Sequence, residues 1–404
     1  MQKKGTIDIF LVIPKLIEQS TWGGDYILHF KNWQKTAPFN SLKVGQSYEL
    51  FSGTKLRGDI ASSKDTSFTG ELGYAMEPDK IIYTGDENKI ISLKSLIRKN
   101  PTGVLGKKAY ARFGPKMKVL IKFTQAKGNS FQLHVQEKDE TKRWQFKPES
   151  WYYFEKGLIT LGAKKNISWE NYEQCVKNVD REMKALSVRV LSGEIKLAEA
   201  KKVAKDIIEK YNPWQFVNLV KVKKDDLVDL SLGGQHHSWE EDEKNYPLGN
   251  VVYELCMDVM DPVSSIRSFD KGKMKSDGSL RAVHIQKYFS SVDRSARAND
   301  PKNSLKKAKV IFSDSNIKAE ALLRTKYYSL DRIILKGEYA GKFSKLTDSF
   351  HHLFMKEGEA LISAKTSKVL LSKGHSCFIP AFARSYTIKP AGCRKCEILK
   401  TFVS

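Results

Sequence analysis

Gln132 and His134 stand two apart in the strand-like run IKFTQAKGNSFQLHVQ. Alternate strand residues leave the same face, so the amide and the imidazole project together. Both are ligand-type groups for a divalent metal ion. Glu149, beyond a polar turn, would add a carboxylate if an antiparallel neighbour brought it back opposite the pair. Taken alone, the QLH triplet is as readily a half-buried strand with ordinary hydrogen-bonded polar residues. Further along, the alternation from Leu227 to Leu232 runs into Gly233-Gly234 and leaves His236 or His237 at the start of the next strand. Adjacent strand residues face opposite sides, so only one of the two can point inward as a fourth ligand.

The elements that must hold these groups are mostly strands. Ser47–Phe51 is a strand candidate, ISLKSLIRK at 91–99 has helical spacing closed by Asn100-Pro101, and 117–162 reads as successive strands. From Ser168 the period changes: Tyr172, Cys175, Val176, Val179, Met183 and Leu186 recur at three and four, and so do Leu197, Ala200, Val203, Ala204, Ile207 and Ile208 after Ser192-Gly193. Two amphipathic helices ending before Asn212-Pro213 are expected, with a packing role. Short strands and turns resume at Phe216. The weakly apolar text DRSARANDPKNSLKKA marks a domain boundary.

At 404 residues the chain can bury a large core and form two or three domains. Lys and Arg outnumber Asp and Glu by 69 to 46, a net charge of +23, which suits nucleic acid, an anionic membrane surface or a phosphorylated small molecule. The basic residues are spread along the chain without a like-charge block or an aromatic-interleaved stripe, which argues against nucleic acid. The five cysteines are too scattered for a disulfide framework, and Cys393-Arg-Lys-Cys396 has no second pair. The apolar run Ile9–Ile13 is too short for a signal sequence, and no stretch reaches the roughly 18 apolar residues of a membrane span. A soluble cytoplasmic protein is expected. The chain has no Walker loop, GxGxxG or GxSxG motif.

LVIPKLIEQSTWGG at Leu11–Gly24, Ser47–Phe51, Asn100–Gly106, Val119–His134 and Lys147–Gly162 follow one another in an order and spacing that resembles class I mannose-6-phosphate isomerases. In that family P…WGG is followed by a WEIS-like strand, LIKF.DA…QVHP, a KPE leading into WYIL and a PAGTxHA turn. The resemblance extends through Asp226–Ser238, Tyr253–Asp270 and His284–Tyr288, and more loosely over Lys326–Ile388. The departures are Ser231-Leu232 for Pro-Ala in the turn, Phe146 before KPE, Val135 after QLH, and two extra residues between Asp261 and Arg267.

The resemblance implies a mainly β protein with two cupin-like jelly-roll β-barrels and a small α-helical insertion. The implied division is a catalytic cupin domain over 1–166 and 214–292, an insertion at 167–213, a linker at 293–308 and a structural cupin-like domain at 309–404. It implies one zinc ion held by Gln132, His134, Glu149 and His236, with His237 pointing outward. Lys147 and Arg267 become candidates for proton transfer and electrophilic stabilisation, and Glu254, Asp261 and His284 candidate substrate-binding residues. The implied activity is interconversion of mannose 6-phosphate and fructose 6-phosphate, in carbohydrate metabolism. A phosphorylated hexose is the expected partner, without nucleic acid or membrane, in a monomer or weak homo-oligomer. The altered Asp261–Arg267 spacing keeps open a metal-binding cupin that is non-catalytic or acts on another sugar phosphate.

Overall fold

The computed structural model describes residues 7–19, 22–34, 42–58, 62–65, 73–74, 90–128, 130–238, 242–343 and 349–404. The protein is mainly β, with several sheets, and among the described residues no sheet closes on itself as a barrel. The chain divides into two compact units. One comprises Met1–Gln125, Tyr253–Asp258 and Lys306–Ser404, the other Ala126–Val252 and Val259–Leu305. The division thus joins the first 125 residues to the C-terminal segment.

In the first unit, a nine-stranded sheet brings the N-terminal strand Phe10–Ile13 between Ser376–Ile379 and Lys55–Arg57. Its apolar residues, among them Leu11, Ile333, Leu353 and Ile398, share a core with Ile362, Leu371 and Ile388 of a four-stranded sheet. Adjacent His351 and His352 are buried there, their Nδ1 atoms 2.9 Å from the Tyr386 hydroxyl and 3.2 Å from the Tyr253 hydroxyl, while His352 Nε2 makes no hydrogen bond among the described residues. Asn100-Pro101 does more than close a helix. Leu93–Lys99 ends there, and Asn100 then caps a second helix, Pro101–Phe113, by accepting from Gly103 N at 3.0 Å.

The second unit contains a five-stranded antiparallel sheet in the order Val217–Val222, Gly157–Ala163, His236–Ser238, Phe131–His134, Ser265–Phe269. Both expected helices form, Trp169–Leu191 and Leu197–Tyr211. Ser168 caps the first by accepting from Asn171 N, and Asn212 ends the second in the left-handed region before Pro213. Their periodic apolar residues are buried against Phe131, Leu133, Ile266 and Phe269 on one face of the sheet. Gln132 and His134, one residue out of phase, are left to the other face. The weakly apolar 293–308 segment holds two short helices, Ala296–Asn299 and Pro301–Ser304, and Asn299 Oδ1 accepts from Ala163 N at 2.8 Å.

Candidate metal centre

In the second unit the strand Phe131–His134 runs antiparallel to Ser265–Phe269, with His134 opposite Ser265 and Gln132 opposite Arg267. On its other side Gln132 stands opposite His236. Gln132 and His236 are therefore neighbours across the ladder, and the two-residue period sets His134 on the same face as Gln132. Glu149 arrives differently from expectation. It is not on an antiparallel neighbour of the QLH strand but opens Glu149–Tyr153, which pairs with Leu227–Asp229 in another sheet. Two sheets thus contribute to one point.

Glu149 Oε2 lies 3.0 Å from His134 Nε2, and Oε1 lies 3.9 Å from His236 Nε2. The ligand atoms of His134, Glu149 and His236 all fall within 4.8 Å of one another, and all three residues are buried. Burial is costly for such groups unless their polar atoms find partners. Yet His134 Nε2 and both ring nitrogens of His236 make no hydrogen bond among the described residues. Desolvation, assisted by the nearby His134, pushes the His236 pKa down to about 3 and holds it neutral, the form in which imidazole binds metals. Two imidazoles converging on a carboxylate, with an amide on the same strand face, fit a borderline divalent ion.

The surrounding groups orient this set. Ser265 Oγ lies 3.3 Å from His134 Nδ1, leaving Nε2 for the centre. Trp151 Nε1 donates to Glu149 Oε1 at 2.7 Å, and its ring meets that of His236 edge-on at 5.5 Å. Ser130 Oγ donates to Gln132 Oε1 at 3.2 Å. Neither Trp151 nor Ser265 was singled out from sequence. The first was recoverable from the two-residue period, which sets Trp151 on the face of Glu149. The second depends on a strand pairing between distant segments.

Lys147 precedes the strand rather than belonging to it, but its buried Nζ reaches Glu149 Oε2 at 3.4 Å and Asp261 Oδ1 at 2.7 Å. Asp261 opens a short helix with its side chain 54% exposed. Arg267 forms no ion pair with Asp261 or Asp270. Asp270 is taken by Arg281, whose Nε donates to it at 2.7 Å. Arg267 Nε has no partner among the described residues, and desolvation lowers the guanidinium pKa. His284 N donates to Arg267 O at 2.6 Å, and Arg267 N donates to His284 Nδ1 at 3.3 Å. Glu254 belongs to the first unit, where it meets Lys122 Nζ at 2.5 Å and accepts from Thr124 Oγ1 at 3.2 Å.

His237 corrects one expectation. It faces away from His236 but is fully buried rather than pointing outward, stacked on Phe131 at 4.3 Å and Trp214 at 5.7 Å between ring centroids. The helices cover that face of the sheet, so neither side of this strand meets solvent.

No protein-family model matches the sequence, and no curated protein matches it. Solved structures do match over the whole chain. The mannose 6-phosphate isomerase from Bacillus subtilis is 17% identical with a TM-score of 0.61, covering 98% of this chain and 100% of that one. A zinc-bound mannose 6-phosphate isomerase is 14% identical with a TM-score of 0.62 and the same coverage. A variant of phosphomannose isomerase from Salmonella typhimurium is 13% identical with a TM-score of 0.62, again covering 98% and 100%. The chain has the fold of these isomerases. No helix among the described residues is long and apolar enough to cross a membrane.

Proposed function

We propose that the chain is a zinc-dependent aldose–ketose isomerase that interconverts mannose 6-phosphate and fructose 6-phosphate. The observation that carries this reading is the buried convergence of His134, Glu149 and His236, with unpartnered imidazole nitrogens, in a fold shared with isomerases of that name. Gln132, His134, Glu149 and His236 would hold one zinc ion. Two cupin-like jelly rolls remain the proposed architecture, with the catalytic one formed by 1–166 and 214–292 around the 167–213 insertion, and a structural one at 309–404 beyond the 293–308 segment. The paired helices of the insertion support it. The free cysteines suit a reducing compartment, and the proposed setting is cytoplasmic carbohydrate metabolism.

The reaction requires ring opening and movement of a proton between C1 and C2 through an enediol. Zinc, when bound, supplies positive charge that stabilises the charge developing on the substrate oxygens, worth roughly several kcal/mol. Lys147 holds a proton on Nζ within reach of Glu149 and Asp261, which suits it to proton transfer beside the centre. Arg267 offers a guanidinium whose Nε has no partner among the described residues, and a substrate oxygen or phosphate would compensate that buried charge. His284, bonded to the Arg267 backbone in both directions, fixes the strand from which Arg267 projects. Asp261 shares Lys147 and completes the proposed pocket in the second unit. Glu254 is a separate substrate-binding candidate. The net charge of +23 suits a phosphorylated hexose. The test is a coupled assay for fructose 6-phosphate formed from mannose 6-phosphate. Zinc binding without turnover would instead support a cupin acting on another sugar phosphate.

A further inference from the structure

His236 is held in place from the opposite face of its own strand. Gln235 and His237, its two neighbours in sequence, both turn away from Glu149 toward the helix-covered side, as strand alternation requires. His237 is stacked on Phe131 and Trp214. Gln235 is fully buried, and its Oε1 accepts from the hydroxyl of Tyr172 at 2.9 Å and from that of Tyr288. Tyr172 comes from the first turn of Trp169–Leu191, and Tyr288 from Ile285–Ser291. Neither ring can swing. Tyr172 stacks on Phe216 at 4.9 Å and meets Phe289 edge-on at 5.1 Å, while Tyr288 meets Phe289 at 5.2 Å. The Gln235 backbone is held as well, its carbonyl accepting from Gly162 N at 2.8 Å.

We infer that Gln235, clamped by the Tyr172 and Tyr288 hydroxyls, is a positioning residue that fixes the direction in which His236 presents its imidazole, so that the helices Trp169–Leu191 and Ile285–Ser291 set the affinity of the metal centre. This rests on the metal-centre reading above. A strand residue can rotate about its backbone only if its neighbours rotate with it, and both neighbours of His236 are locked. Releasing Gln235 leaves the four proposed ligands chemically intact but loosens one of them. Outer partners of metal ligands commonly contribute about 10- to 100-fold in affinity.

The experiment measures zinc affinity by competition with a chromogenic chelator, and the visible absorption of the cobalt-substituted protein. The proteins are wild type, Tyr172→Phe, Gln235→Leu, the double variant, and Met183→Ala as a control that loosens the same helix away from Gln235. Tyr172→Phe keeps the ring and its stacking and is the mildest change. The expected result is a roughly 10-fold loss of affinity in Tyr172→Phe and up to about 100-fold in Gln235→Leu, with altered cobalt bands. The double variant should be no worse than Gln235→Leu, and Met183→Ala should match wild type. Wild-type affinity and spectrum in both Tyr172→Phe and Gln235→Leu, or an equal loss in Met183→Ala, would overturn the positioning role while leaving the metal centre standing. Absence of zinc binding by wild type would overturn both.

Discussion

His134 Nε2 stands 3.0 Å from Glu149 Oε2, in a pocket where the two side chains are 2% and 3% exposed, yet the pair forms no hydrogen bond. A buried imidazole and carboxylate this close ordinarily satisfy each other. Here the ligand atoms of the two residues and of His236 all lie within 4.8 Å of one another. That geometry is costly without a cation between the groups and favourable with one.

Glu149→Ala should therefore remove the metal, not merely slow the reaction. Loss of a ligand should weaken zinc binding by more than about 100-fold, beyond the range typical of outer partners. Elemental analysis of the purified variant should show protein essentially free of zinc, against about one ion per chain in wild type. Equal zinc in both would exclude Glu149 as a ligand.

Arg267→Ala should separate binding of metal from catalysis. Removal of a charge-stabilising donor lowers kcat roughly 100- to 1000-fold. Zinc content should remain that of wild type, because Arg267 contacts none of the three converging side chains in any hydrogen bond or ion pair. Steady-state kinetics beside metal analysis reads both quantities.

Acid should destabilise the fold through buried histidines of the first unit. Desolvation, with Lys31 nearby, pushes His352 and His375 down to about 3. Their folded pKa values lie below the unfolded value of about 6.5, so the unfolded chain binds more protons between these limits. Stability is fully present above about pH 6.5 and is lost as pH falls toward about 3. Between about pH 7 and pH 5 each contributes a loss of about 2 kcal/mol. Denaturant midpoints at the two pH values measure this, and His352→Gln should flatten the dependence. Identical midpoints would contradict it.

Gly234→Ala should disturb the turn that delivers His236. A Cβ at this position would meet the Ala298 carbonyl oxygen at 2.5 Å, and that oxygen belongs to backbone rather than a flexible side chain. The turn must shift, at a cost of about 1–3 kcal/mol. Denaturation of the variant should show that loss together with weaker zinc binding.

Much of this site was legible in the sequence because its signals are local. The two-residue period carries Gln132 and His134 together, and the three-and-four period marks the helices that cover the other face. The convergence itself was not local. Glu149 comes from a different sheet, the Ser265 that orients His134 joins a strand distant in sequence, and the choice of His236 over His237 rested on family resemblance. His237 misled because strand alternation says which way a side chain turns, not what covers that side. Asn100-Pro101 closes Leu93–Lys99 as expected; that the same proline also begins the next helix follows from its fitness for a first helical position.

The most direct test is the coupled assay of mannose 6-phosphate conversion to fructose 6-phosphate, run on wild type before chelation, after exhaustive chelation and after return of zinc, with Glu149→Ala alongside. The account predicts turnover in the untreated protein, its loss on chelation, its recovery with zinc and no recovery in Glu149→Ala. Full activity in the presence of chelator, or in the Glu149→Ala protein, would contradict it.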